Sequence, residues 1–324
     1  MSSRPRILVI TPVRHIHGVA EILESIGEVS YLDDPDSADV MAVVAEYEAI
    51  VTNPNKSRVF LSAELMAQAC CLQVICTAST GTNHIDKVYA AQKSLPIVAL
   101  TEERAVISRI SSTAELAFGL MLSALRHMPQ SMRSVLKGEW DYTQFIGRQV
   151  NCLTVGVVGY GRLGSMFAGY CRAFGARVMV YDPYQTVSAE GCQQVDSLDK
   201  LLPQVDVLAM HVHVTDETTA MISTKQLVQL QPHVVLVNTA RGDVMDEVAV
   251  VRFLQANPLA RIATDVLADE VRNRENSPLL KYAEESDQVL ITPHIGGMTR
   301  DAQEIAYTHA VRLLKQFFEQ RSIQ

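Results

Sequence analysis

Three polar residues stand just past apolar runs in the second half of the chain. Arg241 lies in Asn238-Thr239-Ala240-Arg241-Gly242, Glu270 in Asp265-Val266-Leu267-Ala268-Asp269-Glu270, and His294 in Thr292-Pro293-His294-Ile295-Gly296-Gly297. Together they offer what alcohol oxidation or ketone reduction needs at the oxygen. Histidine serves as base in one direction and acid in the other, because its ordinary pKa lies near neutrality. A neighbouring carboxylate favours imidazolium and fixes the tautomer, which is the role expected of Glu270. Arginine grips a carboxylate through two parallel hydrogen bonds and polarises a carbonyl. Taken singly, each has a duller reading: a lone Arg or Glu is usually solvated charge, and a His after Pro caps a turn. Their placement argues otherwise, since ligands of open α/β sheets bind beyond the carboxyl ends of strands.

The strongest single motif is Gly159-Tyr160-Gly161-Arg162-Leu163-Gly164, a GxGxxG stretch between an apolar run and a helical one. The next strand-like run ends in Val180-Tyr181-Asp182, which puts Asp182 18 residues past Gly164 (182 − 164), where a dinucleotide fingerprint has its acid. Gly159 permits the tight turn, Gly161 lets a pyrophosphate approach the backbone, and Gly164 lets helix and strand pack closely. N–H groups at the helix start then face the phosphates. Asp182 is expected to accept hydrogen bonds from the adenosine ribose and to repel a 2′-phosphate. The following Pro183-Tyr184-Gln185-Thr186 brings no Arg to offset it, so the expected cofactor is NAD rather than NADP.

Such residues need a parallel sheet to carry them, and strand-like and helix-like segments alternate throughout. Residues 6–10, 29–32, 49–52, 72–76 and 96–99 read as short buried strands, with helices over 15–26 and 62–69. A long apolar helix is expected over 110–127, closed by Pro129, followed by a polar arm over 131–151 that holds the single tryptophan, Trp140. Strands resume at 153–158, 177–181, 206–211, 234–238, 261–265 and 288–291, and a last helix is expected over 301–319.

Composition sets the limits. With 48% hydrophobic and 20% charged residues, the 324-residue chain reads as globular and long enough for two ordinary domains. A net charge of −8 argues against nucleic acid, whose phosphates want clustered Lys and Arg. No run of about 18 uninterrupted apolar residues suggests a membrane span. The apolar start at Ile7 is too short for a signal sequence. Six cysteines (Cys70, Cys71, Cys76, Cys152, Cys171 and Cys192) form no CxxC pair and no ligand spacing, so reduced, mostly buried thiols in a cytoplasmic protein without metal are expected.

Taken in order, these segments resemble the D-isomer-specific 2-hydroxyacid dehydrogenases over nearly the whole chain. Thr80-Gly81-Thr82-Asn83-His84-Ile85-Asp86 is similar to the family's glycine turn, and Ser112-Thr113-Ala114-Glu115 to its helix start. His211-Val212-His213-Val214-Thr215-Asp216-Glu217-Thr218 and the three polar segments follow, 29 (270 − 241) and 24 (294 − 270) residues apart. The resemblance implies α/β architecture: two Rossmann-like lobes with parallel sheets and the active site in the interlobe cleft. Residues 1–100 and 296–324 would form the substrate domain and 101–295 the NAD-binding domain. It implies His294 as acid/base, Glu270 as its partner and Arg241 as substrate binder, with main-chain N–H groups near Thr80 and Gly81 on the substrate carboxylate. Cofactor contacts would come from the glycine motif, Thr113, His211, Thr218, Thr239 and Ala240, with Asp265 on the nicotinamide carboxamide. A homodimer pairing through the NAD domain is implied too.

The departures are His213 for a usual Pro, Leu267 for a common Phe and Val271 for a common Pro. His211 and His213 would share a strand face, without a third ligand to make a metal site. Relatives that use 3-phosphoglycerate place arginines near the strand ends that here carry Thr52 and Thr77. Lys56 or Arg58 is the remaining cation there, read as solvated loop charge. A small 2-hydroxy or 2-oxo acid is therefore the expected substrate, and an NAD(H)-binding regulator or corepressor-like protein is the alternative. Control through a domain appended after residue 324 is not expected.

Overall fold

Runs such as Ala49–Thr52 and Val207–Met210 are buried at every position, which a parallel sheet covered by helices on both faces requires. In the computed structural model, which describes residues 4–54, 59–187 and 189–321, the chain divides into two compact units. One is Met1–Ile110 with Gly297–Gln324, the other Ser111–Gly296.

In the first unit, β1 (Arg6–Val9), β2 (Glu28–Tyr31), β3 (Ala49–Thr52), β4 (Val74–Thr77) and β5 (Ile97–Val98) form a parallel sheet in the order β2-β1-β3-β4-β5. Alternation sends Ile7, Val9, Val51, Val74 and Cys76 to one face, under the helices Val19–Ile26 and Arg300–Arg321. Leu8, Ile50 and Ile75 go to the other, with the helix Ala63–Gln68.

The second unit holds β6 (Thr154–Val158), β7 (Arg177–Tyr181), β8 (Cys192–Val195), β9 (Val207–Met210), β10 (Val235–Asn238), β11 (Arg261–Thr264) and β12 (Val289–Ile291). The order is β12-β11-β10-β9-β6-β7-β8, again parallel. The chain winds outward from β6 through β8, then restarts at β9 on the other side of β6, so the sheet has its switch point between β6 and β9. Val155, Val157, Val178, Val180, Val207 and Val237 face the helices Ser112–Leu125 and Arg162–Ala173.

Several sequence expectations change. β8 has no counterpart among the expected strands, because Gln193 and Gln194 give it no apolar signal; it is an edge strand with both glutamines exposed. Pro129 does not close the apolar helix. That helix ends at Leu125, His127 turns left-handed at φ 53°, and Pro129 sits in the first turn of a new helix, Met128–Leu136, where a missing N–H loses no partner. Residues 101–110, expected in the NAD-binding part, pack in the first unit with the short helix Arg104–Ile107. Of the cysteines only Cys76 and Cys171 are buried; Cys70, Cys71 and Cys152 are exposed, against the expectation of mostly buried thiols.

The stretch Arg104–Leu125 is long and apolar enough to cross a membrane by composition, with a mean hydropathy of 1.3. It is broken between Ile107 and Ser112, and Ala114, Ala117, Leu120 and Met121 are buried in the second unit's core, which accounts for its apolarity.

Candidate active site

β6 ends at Val158 and the glycine motif follows at the switch point. Gly159 has φ 90°, and a Cβ there would approach His211 O to 2.7 Å. A Cβ on Gly164 would come within 2.0 Å of Gly159 O, so helix and strand meet only because residue 164 has no side chain. Gly161 differs: a Cβ there would meet nothing within 4 Å. The protein's own packing does not require that glycine; it leaves the backbone open to a ligand. The helix Arg162–Ala173 starts there without a side-chain cap, so its first N–H groups face the same opening. Arg162 at that start is partly buried, which lowers its pKa, and Leu163 packs against the core beneath. This open cradle fits a dinucleotide pyrophosphate.

Asp182, just past β7, is fixed by the backbone. Its Oδ2 accepts the Tyr160 N–H at 2.7 Å, and its Oδ1 accepts those of Tyr184 at 2.8 Å and Gln185 at 3.0 Å. A carboxylate has about four acceptor positions, so roughly one is left for a ribose hydroxyl.

The other expected cofactor residues are more varied. β9 ends at Met210, so His211 and His213 lie beyond the strand and do not share a strand face. The His211 ring packs 5.0 Å from Phe167, its Nε2 is sealed without a partner, and burial pulls its pKa down to about 4. His213 is exposed. Among the described residues no group of three or more His, Cys, Asp or Glu is gathered as a metal site. The Thr218 hydroxyl folds its own loop, donating to His213 O and accepting the Thr215 N–H at 2.8 Å. Thr239 is buried with its hydroxyl unpartnered, and the Ala240 N–H donates to Asn238 Oδ1 at 3.0 Å. Thr113 borders Gly296 so closely that a Cβ there would meet its Cγ2 at 3.1 Å.

The second unit brings the three polar residues together. His294 Nδ1 lies 2.5 Å from Glu270 Oε1, and both side chains are largely buried. A carboxylate only accepts, so Nδ1 carries the proton and the tautomer is set. Glu270 Oε2 also accepts the Leu267 N–H at 3.2 Å. Burial favours the neutral acid, but the hydrogen bond and charge of His294, the Leu267 N–H and the Arg241 charge outweigh it and hold the Glu270 carboxyl below its ordinary value. Burial lowers the Arg241 pKa while the charges of Glu270 and Asp243 raise it; it remains a cation. Its Nη1 donates to Ala240 O at 2.6 Å.

The supporting shell was mostly invisible in the sequence. Asp265, expected at a carboxamide, is buried with both oxygens engaged. Oδ1 accepts the Thr292 hydroxyl at 2.5 Å and the Ile295 N–H at 2.8 Å, and Oδ2 accepts the Gly296 N–H at 2.7 Å. It brackets His294, whose φ of 53° is a left-handed conformation costing a non-glycine residue about 1–2 kcal/mol. Buried Glu247 accepts the Ala268 N–H at 2.8 Å and the Ser277 hydroxyl at 2.6 Å, spanning the segment that carries Glu270. Gly242 lies against that segment: a Cβ would sit 2.0 Å from Leu267 C.

Thr80 and Gly81 follow β4 in the first unit, and their N–H groups have no acceptor among the described residues. Thr52 and Thr77 are fully buried. Lys56 and Arg58 lie outside the described residues.

Residues 118–296 match the model for the D-isomer specific 2-hydroxyacid dehydrogenase, NAD binding domain. The D-3-phosphoglycerate dehydrogenase of Archaeoglobus fulgidus is 36% identical over 269 residues, covering 82% of this chain and 48% of that protein. The chain spans about half the length of the curated relatives it matches. Among solved structures, the D-lactate dehydrogenase of Aquifex aeolicus, complexed with NAD and lactic acid, is 29% identical with a TM-score of 0.79, covering 97% of this chain and 95% of that one. A glyoxylate reductase from Paecilomyes thermophila is 25% identical with a TM-score of 0.81, covering 98% and 96%. The chain belongs to the D-isomer specific 2-hydroxyacid dehydrogenases, and residues 118–296 are their NAD-binding domain.

Proposed function

We propose that this protein is an oxidoreductase that interconverts a small D-2-hydroxy acid and its 2-oxo acid, with NAD preferred over NADP. The observation that carries the reading is the His294–Glu270 pair at 2.5 Å beside the buried Arg241 cation. When bound, NAD supplies or accepts the hydride at the substrate's C2. The chain's own residues handle the proton and the charge. With Nδ1 committed to Glu270, Nε2 of His294 is the nitrogen that gives a proton to the substrate oxygen in reduction and takes it in oxidation. Arg241 stabilises negative charge on that oxygen or on the adjoining carboxylate. Glu270 steadies the imidazolium. The glycine cradle holds the pyrophosphate, with Asp182 on the ribose, and the N–H groups of Thr80 and Gly81 take the substrate carboxylate.

The substrate in this reading is small and without phosphate, because among the described residues the strand ends at Thr52 and Thr77 offer buried hydroxyls rather than cations. A cytoplasmic location and a homodimer through the second unit belong to the same reading. NADH oxidation followed with glyoxylate, hydroxypyruvate, pyruvate and 3-phosphohydroxypyruvate tests it. Turnover of one of the first three in preference to the phosphorylated acid is expected. Tight NADH binding without turnover of any would overturn the reading, and preference for the phosphorylated acid would overturn the substrate class.

A further inference from the structure

The turn after β4 holds three consecutive carbonyls. Ser79 O accepts the Leu100 N–H at 3.0 Å, Thr80 O accepts the Thr101 hydroxyl at 2.9 Å, and Gly81 O accepts the Ser79 hydroxyl at 2.6 Å. Ser79 Oγ also meets the hydroxyl of fully buried Thr77 at 2.9 Å. The Ser79 proton is committed to Gly81, so Thr77 donates in that contact, and the turn is anchored to the sheet through two hydroxyls.

These bonds have a directional consequence. No peptide here is cis, and in a trans peptide the C=O and N–H point opposite ways. Ser79 O and Thr80 O are both drawn toward residues 100 and 101, so the N–H groups of Thr80 and Gly81, which share those peptides, both point away from that segment. Neither has an acceptor among the described residues. Two adjacent N–H groups aimed to one side form an anion-binding concavity.

We infer that Thr101 and Ser79 are positioning residues for the substrate: their hydroxyls lock the peptides of this turn so that the Thr80 and Gly81 N–H groups receive one carboxylate. This rests on the reading that the chain takes a 2-oxo acid. Thr101 has the more exposed role, since a single hydroxyl aims the Gly81 N–H. Without it, that peptide is free to rotate and must be ordered when substrate binds. The carboxylate is gripped alike in the ground and transition states, so the loss falls on KM rather than kcat.

The test pairs Thr101→Val, of nearly the same shape but unable to donate, with Thr101→Ser, which keeps the hydroxyl. Thr101→Val should raise KM for the preferred 2-oxo acid about five- to tenfold, the worth of one ordering hydrogen bond. Its kcat and its KM for NADH should stay near wild type, and Thr101→Ser should restore KM. Oxamate, a non-reacting carboxylate with an adjoining carbonyl, should lose affinity by the same factor in calorimetric titration of the NADH-loaded protein. An unchanged KM and oxamate affinity in Thr101→Val, or no recovery in Thr101→Ser, overturns the inference. If wild type reduces no 2-oxo acid, the reading of activity fails and oxamate decides alone. Binding weakened by Thr101→Val sustains the carboxylate grip, whereas no binding, or equal binding by both forms, removes it.

Discussion

Glu270 has two effects on His294: it holds the ring by Nδ1 and supplies a countercharge for the protonated form. In the proposed mechanism His294→Ala removes the proton carrier but touches nothing in the glycine cradle. Turnover should fall by about two orders of magnitude or more while NADH affinity, read by fluorescence titration, stays within a factor of two. Equal losses in both would remove the acid/base role. Glu270 also leaves a mark on stability. Its folded-state pKa lies below the ordinary 4.5, so its contribution is present above that value and is lost as pH falls through the folded pKa. In Glu270→Gln this acid-dependent loss should vanish, giving a flatter fall of Tm below pH 4.5 by calorimetry. Asp182→Ala should narrow the ratio of kcat/KM for NADH over NADPH; a constant ratio would place cofactor selection elsewhere. The pH–rate profile has one fewer suspect, because His211, with its pKa near 4, stays neutral through the assay range.

The site is held by loops at the carboxyl ends of β10, β11 and β12, and each loop has its own clamp: Asn238, Glu247 with Ser277, and Asp265. Glu247→Ala leaves the Ala268 N–H and the Ser277 hydroxyl without their acceptor and loosens the segment that presents Glu270. Stability should drop by about 1–3 kcal/mol in urea unfolding. The loss of turnover should be less than additive with that of Glu270→Gln, because both act on one contact. Strict additivity would mean that Glu247 only stabilises the fold. The strands themselves were largely legible, since runs such as Ala49–Thr52 and Arg177–Tyr181 carry an apolar signal that ends where the strand ends. The proposed trio of Arg241, Glu270 and His294 stands out in the sequence because each member follows such a run. The clamps do not: Asp265 and Glu247 bind mainly backbone N–H groups, whose positions no residue pattern announces. β8 and the Pro129 turn failed for related reasons, one lacking apolar residues and the other using proline to open a helix rather than close it.

At the scale of the molecule, one surface is conspicuously apolar. Leu136 (75% exposed), Trp140 (90%), Tyr142 and Ile146 follow one another at and beyond the end of the helix Met128–Leu136. We propose that these exposed apolar side chains, set within eleven residues of one another, belong to an interaction face whose occupant is a second copy of the chain. Leu136→Asp with Ile146→Asp should convert a dimer to a monomer in sedimentation velocity, and a wild type that sediments as a monomer would exclude the pairing. The division of the chain has a further consequence, for biosynthesis. Ser111–Gly296 is one uninterrupted segment, whereas the sheet of the first unit relies on Tyr307, Ala310, Val311 and Leu314 to cover one face. During synthesis Ser111–Gly296 is complete before the helix Arg300–Arg321 is made, so the face of Ile7, Val9, Val51 and Val74, until then covered in part by Val19–Ile26, gains its full cover later than the middle segment is finished. The strands Arg6–Val9 and Ala49–Thr52 are thus made before Ser111–Gly296 but fully covered only after it, and it is this segment that chaperones should hold longest.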